Sequence, residues 1–155
     1  MLVINRIEIK NHEKEFNIIL HIVSRPLPGI FRDKVDCNDG LDGQWQMYEW
    51  VSPEGEVVGG KEMKIYYSFQ LQMMMFQKLS VSSGYLLSSF QHRNTSILIY
   101  DPVKYKGNGH DEILPMDTLR QYGVPFDGVM TIECLSDETL ILRSAETGRL
   151  SFRRY

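Results

Sequence analysis

From Gly43 to the C-terminus, apolar and polar residues alternate in short segments separated by turn-forming residues. A period of two belongs to strands, where successive side chains point to opposite faces. Trp45, Met47 and Val51 share one face of a first strand, with Gln44 and Gln46 opposite, and Ser52-Pro53-Glu54-Gly55 then turns the chain. Over residues 65–76 the odd positions read Ile65, Tyr67, Phe69, Leu71, Met73 and Met75. One long or bent strand fits this run, and so do two joined by a tight turn. Residues 80–84 break the pattern, and strand-like segments follow at 85–92 and 96–101, with a long loop predicted over 101–115. Asp117 is placed to cap a short helix over 118–122, which Gly123 ends and Pro125 prevents from continuing. Three strands close the chain at 129–135, 139–144 and 150–155. Turns recurring about every ten residues predict an antiparallel meander, as in a sandwich or a barrel. The fold class is all-β.

Residues 1–40 read differently and form an N-terminal extension to a domain over 41–155. A secretory signal needs a basic start, an uninterrupted apolar stretch and a small-residue cleavage site. Here Glu8, Glu13 and Glu15 precede the apolar stretch 16–23, and Asn17 and His21 interrupt it. Lys34-Val35-Asp36 ahead of Cys37 lacks the small and apolar residues of a lipoprotein acceptor. The expectation is a segment without a recognisable export signal.

Composition narrows the function classes. A chain of 155 residues suits one compact domain. Its 43% apolar and 24% charged residues are ordinary for a globular protein. Seventeen basic against twenty acidic side chains give a net charge of −3, which argues against nucleic acid held by bulk charge. No apolar run reaches the roughly 20 residues of a membrane-spanning helix. Cys37 and Cys134 are too few for a disulfide framework and lack metal-ligand spacing; an oxidising compartment would allow one bridge between them, and otherwise they read as a loop cysteine and a buried one. Eight methionines and eight tyrosines supply adaptable apolar surface, useful in a plain core and around an imprecise guest alike.

Motifs that carry chemistry fail on inspection. Gly55 to Glu62 comes within one residue of a phosphate-binding loop, but Glu62 stands where Ser or Thr is required, and no helix follows. It reads as a glycine-rich hairpin loop. Asp33, Asp36, Asn38, Asp39 and Asp42 crowd ahead of the first strand, yet Gly40, Leu41 and Met47 occupy positions where a helix-loop-helix calcium site needs other residues. No two of His12, His21, His92 and His110 share a helix or strand face, and no nucleophile elbow is present. The sequence thus predicts no catalytic set, metal or cofactor.

One pair stands out. Gly43-Gln44-Trp45 opens the first strand, and Leu150, Phe152 and Arg154 share one face of the last. If the meander closes, its first and last strands lie side by side, and Arg154 can spread its guanidinium over the indole. Gly-x-Trp, the run of short strands and the late Arg together resemble lipocalins. The chain is most similar to the small lipocalin-like domains of bacterial exported proteins, with Leu41-Asp42-Gly43-Gln44-Trp45 as the opening phrase. The closing phrases are Leu140-Ile141-Leu142-Arg143-Ser144 and Leu150-Ser151-Phe152-Arg153-Arg154. The resemblance implies an eight-stranded antiparallel up-and-down barrel with one short helix, of a family that is exported or attached to the cell envelope. It also implies that Gly43, Trp45 and Arg154 are structural closure residues, and that the interior is sized for one small apolar or amphipathic ligand. Tyr67, Phe69, Leu71, Met73 and Met75, with Met130 and Ile132 opposite, are the candidate lining.

Three functions follow as expectations. The first is a non-enzymatic barrel binding an apolar molecule. The second is a side-chain-filled barrel that docks a protein partner through the 101–115 loop and the N-terminal extension. The third is a barrel enzyme with inward ionisable groups, for which Glu49 is the candidate on the first strand.

Overall fold

The computed structural model describes residues 40–79, 84–106 and 110–155. The chain divides into two units, Met1–Val35 and Asp36–Tyr155, and every described residue belongs to the second. Cys37 and most of the acidic cluster ahead of the first strand therefore lie outside the described residues.

Ten strands are present among the described residues: β1 (Gly43–Val51), β2 (Val57–Gly60), β3 (Ile65–Gln70), β4 (Met73–Lys78), β5 (Tyr85–Arg93), β6 (Ser96–Lys104), β7 (Glu112–Ile113), β8 (Val129–Leu135), β9 (Thr139–Ser144) and β10 (Gly148–Arg154). All pairings are antiparallel. Sheet order runs β10-β9-β8-β6-β5-β4-β3-β1, and β10 pairs with β1, so these eight strands close a barrel. β2 extends the sheet along the second half of β1, and β7 pairs with the end of β6. One end of the barrel, the floor, holds the entry to β1 and the β3–β4, β5–β6 and β8–β9 turns. The other, the mouth, holds the β1–β2, β4–β5 and β9–β10 turns and the long connection from β6 to β8.

The inner face does not follow a single parity, and local turns and bulges, one of them where Leu87 pairs with Val103 but Ser89 with Tyr100, explain why. β3 and β4 are joined by the two-residue turn Leu71-Gln72, with Gln70 opposite Met73 and Phe69 opposite Met74. Paired positions across such a turn always differ in parity. Odd residues face inward on β3 and even residues on β4, where Met74 and Phe76 are buried. In β1 a bulge falls between Met47 and Glu49, so that after Trp45 and Met47 the next core-packed side chain is Trp50, not Val51. A further irregularity lies between Ile132 and Cys134 on β8. Cys134 is half-buried and carries a free thiol.

The helix also departs from expectation. It is a 3₁₀ helix over Met116–Tyr122, preceded by Pro115, with no side-chain cap. Asp117 lies inside its first turn and pairs with Arg120 at 3.8 Å. Gly123 does end it, at φ +90°. The long loop is shorter than expected: β6 runs to Lys104, and β7 returns against Val103 and Lys104. A 3₁₀ turn over Lys61–Met63, not foreseen, separates β2 from β3.

Candidate functional site

The barrel floor joins Gly43 and Trp45 at the start of β1 to Arg154 at the far end of the chain. Trp45 Nε1 donates to the Leu41 carbonyl at 2.8 Å, and the indole is fully buried. Arg154, opposite Trp45 in the β1–β10 register, places its guanidinium carbon 4.3 Å from the indole centroid. Its three nitrogens donate to the carbonyls of Asp137, Asp42 and Gly40 at 2.6, 2.8 and 2.6 Å. The planar fork thus ties the entry of β1 to the β8–β9 turn while covering the ring. Gly43 makes room for it. Its φ is +121°, and a Cβ there would sit 2.6 Å from Arg154 Nη1. Arg154→Ala is expected to lower the unfolding free energy by about 1–3 kcal/mol. Arg154→Lys should recover less than half of that, because an ammonium cannot reach three divergent carbonyls. Urea unfolding followed by tryptophan fluorescence measures both.

The interior is aromatic. Tyr67 lies in the middle, with ring centroids 4.9 Å from Phe76, 4.6 Å from Phe152 and 6.3 Å from Phe69. Phe69 continues to Phe90 at 5.2 Å, and Phe76 to Tyr122 at 5.4 Å. These rings come from β3, β4, β5, β10 and the 3₁₀ helix, and they bridge the barrel from wall to wall. A side chain that borders a space large enough for water keeps some accessible surface. Trp45, Met47, Tyr67, Met74, Phe76, Ile97, Met130, Leu140, Leu142 and Phe152 keep 0%. These side chains pack directly against their neighbours, while Phe69, Phe90, Tyr122 and Leu86 of the same cluster keep 2%, 1%, 4% and 7%.

Inward hydroxyls are few and engaged. Ser88 donates to the Tyr100 carbonyl at 2.6 Å, and Tyr67 Oη donates to the Tyr122 carbonyl at 2.7 Å. Burial raises the Tyr67 pKa well above its ordinary value, and nearby Tyr122 adds to this. His92 Nε2 is the buried side-chain atom without a hydrogen-bond partner among the described residues, and its cross-strand neighbour is the apolar Ile97. Among the described residues no group of three His, Cys, Asp or Glu side chains is placed to hold a metal.

The mouth is plugged. Leu119, Tyr122 and Val124 are buried in the core. The plug is fixed by bonds to two walls: Tyr67 holds the Tyr122 carbonyl, and Thr147 Oγ1 donates to the Gly123 carbonyl at 2.7 Å. Trp50 Nε1 donates to the Thr147 carbonyl at 2.7 Å, locking the β9–β10 turn to β1. At Gly123 a Cβ would come 2.8 Å from Leu150 Cδ1, so helix end and barrel wall are in direct contact.

Of the sequence-derived lining, Tyr67, Phe69 and Met130 are in the core, and Ile132 packs against it from a half-buried position. Leu71 and Met73 do not line the interior. Leu71 forms the β3–β4 turn, 64% exposed at φ +54°, and Met73 is 42% exposed. Met75 lies on the outer face in register with Ser68 and Leu87. Sequence reasoning missed Met74 and Phe76, because the parity change across Leu71-Gln72 carried it to the wrong face, and it also missed Phe90 on β5 and Tyr122 in the helix, which lie outside that run. Glu49 is likewise not inward. The β1 bulge turns it to the outer wall, 3.8 Å from Arg149, which also pairs with Glu133 at 3.0 Å. Partial burial pushes the Glu133 pKa up, but the guanidiniums of Arg143 and Arg149 outweigh it and hold the carboxyl below its usual range. This ionic cluster staples β8, β9, β10 and β1 from outside.

A lipocalin-like domain family model matches residues 32–155. The chain belongs to that family. A lipocalin-like protein from Bacteroides uniformis shares 20% identity with a TM-score of 0.55, covering 75% of this chain and 99% of its own. An uncharacterised protein from Bacteroides eggerthii shares 24% identity with a TM-score of 0.53, covering 74% of this chain and 99% of its own. No curated protein matches. The likeness to the solved structures is one of fold. In this lipocalin-like domain no helix among the described residues is long and apolar enough to cross a membrane.

Proposed function

We propose that this lipocalin-like domain is a non-enzymatic interaction module with a barrel filled by its own side chains, so that its working surface is the outside. The observation that carries this reading is the burial of the inward ring cluster, from Trp45 at the floor through Tyr67 to the pinned Tyr122 at the mouth. A ligand the size of a fatty acid would need several of those rings to leave their contacts, and each large aromatic displaced from such a core costs about 3–5 kcal/mol by analogy with its truncation. The non-enzymatic reading is supported by the engaged state of the inward hydroxyls and the outward turn of Glu49.

Thermal unfolding of the full chain with and without oleate, cholate and retinol tests the proposal. A ligand at a hundred times its Kd stabilises by about 2.7 kcal/mol, a rise on the order of 10 °C for a domain of this size. The expected result is an unchanged Tm with all three. A saturable rise accompanied by shifted Tyr67 and Phe76 ring resonances would return the family's interior-ligand reading to first place.

A further inference from the structure

The segment that plugs the mouth, residues 115–127 between β7 and β8, is bonded differently from the barrel it closes. Among the described residues, none of 115–127 takes part in a strand pairing. Its amides turn back on the segment itself: Thr118 donates to the Pro115 carbonyl at 3.0 Å, Gly123 to Arg120 at 2.9 Å and Val124 to Leu119 at 3.3 Å. Backbone bonds to the sheet stand at its two ends, where Leu114 donates to the Pro102 carbonyl at 2.8 Å and Ile99 to the Gly128 carbonyl at 2.9 Å. Between those ends it is held by side chains, and most of them come from the β9–β10 turn. Glu146 Oε2 accepts from the Phe126 amide at 2.8 Å, and its Oε1 pairs with Arg120 Nη2 at 3.1 Å. One carboxylate therefore grips the segment on both sides of Gly123. Thr147, the next residue, takes the Gly123 carbonyl and is itself fixed, since its amide donates to Ser144 Oγ at 2.9 Å and Trp50 holds its carbonyl. Tyr67 supplies the remaining bond, to Tyr122.

We propose that residues 115–127 form a latched strap, which swings off the mouth as one unit while the barrel stays folded. Glu146 and Thr147 are the latch, and Leu114 and Gly128 are the hinges. Opening gives up the burial of Leu119, Tyr122 and Val124 and the latch bonds. It returns chain freedom to every residue between the hinges and breaks no ladder bond, so it lies below global unfolding in free energy. Closed, the strap covers the mouth ends of Tyr67, Phe76 and Leu150, against which Tyr122 and Gly123 lie. Open, it uncovers them. The floor around Trp45 and Arg154 is at the other end of the barrel and is the same in both forms. The proposal concerns the cover of the barrel and stands apart from whether the interior admits a ligand.

Hydrogen–deuterium exchange of the full chain, read residue by residue by nuclear magnetic resonance, tests this. In the wild type the Thr118, Gly123 and Val124 amides are expected to share one protection level, at least about tenfold below the best-protected amides of the β3–β4 and β9–β10 ladders. Arg154→Ala weakens the floor, which the open form retains. It should lower the protection of those ladder amides at least about fivefold and leave the three strap amides as in the wild type. Glu146→Ala/Thr147→Val should lower all three strap amides at least about tenfold. Neither replaced side chain bonds to any of those amides, so a loss confined to the contact points would leave Thr118 unmoved. Strap amides that match the ladders in the wild type overturn the proposal, whether or not the latch variant folds. So do strap amides that fall with the ladders in Arg154→Ala, and so does a folded latch variant in which Thr118 keeps its protection.

Discussion

Trp45→Ala is expected to remove about 3–5 kcal/mol of unfolding free energy, as large aromatic truncations in packed cores do. Against a typical total of about 5–15 kcal/mol, that leaves a marginal fold. The cost has more than one source. The substitution opens a void among fully buried neighbours, removes the bond to the Leu41 carbonyl, and takes away the surface on which Arg154 lies. Arg154 would keep its three carbonyl contacts to Gly40, Asp42 and Asp137 but lose the ring that fixes its plane. Trp45→Phe, which restores part of the volume and the π face, should recover about half. Guanidinium unfolding monitored by far-ultraviolet circular dichroism measures the pair. A loss below about 1 kcal/mol for Trp45→Ala, the level of an ordinary surface substitution, would contradict the floor as described.

Tyr67→Phe is expected to cost about 1–3 kcal/mol, because the buried Tyr122 carbonyl loses its donor where water has no access. The same residue gives the protein a signature in alkali. Burial holds the folded-state Tyr67 pKa above the ordinary value of 10.0, so above that pH the unfolded chain releases a proton that the folded chain retains. Stability from this group is complete below pH 10 and is lost progressively as pH rises from there towards the folded-state value. Tyr122, also raised by burial, adds in the same direction. Wild type should therefore destabilise steeply above pH 10. Tyr67→Phe, weaker at neutral pH, should show a shallower decline. Equal slopes for the two proteins in pH-jump denaturation would show that Tyr67 is not held as its geometry indicates.

What could be read from the sequence and what could not divide along a physical line. Strand positions were legible because a buried face imposes a period of two, and β8, β9 and the Trp45 end of β1 keep it over several residues. The juxtaposition of Trp45 and Arg154 was legible because closing a meander places first and last strands together and parity selects Arg154 over Arg153. Parity cannot survive an event that composition does not announce. Leu71-Gln72 contains no Gly, Asn or Pro, yet it makes a two-residue turn, with a leucine at positive φ. The alternation read as one run therefore placed Met73 and Met75 inside. The bulge beyond Met47 is equally silent, and it exchanged Glu49 and Val51 for Trp50. The helix was found through Gly123, whose conformation has a strict residue preference. Its start was misjudged because Asp117 resembles a cap by type, whereas the chain enters through Pro115. How full the interior is depends on distances between rings that no linear pattern encodes.

The register that sets Arg154 beside Trp45 spans nearly the whole domain, and its hydrogen bonds to Gly40 and Asp42 join residues 114 and 112 positions apart. Contacts of that separation form late in a search, because the loop must close before anything rewards it. Until β10 docks, β1 and β9 each present an unsatisfied backbone edge, the template on which chains pair with the wrong neighbour. Slow refolding, with aggregation that grows with concentration and is suppressed once the final strand has zipped into place, is thus the kinetic counterpart of this closure.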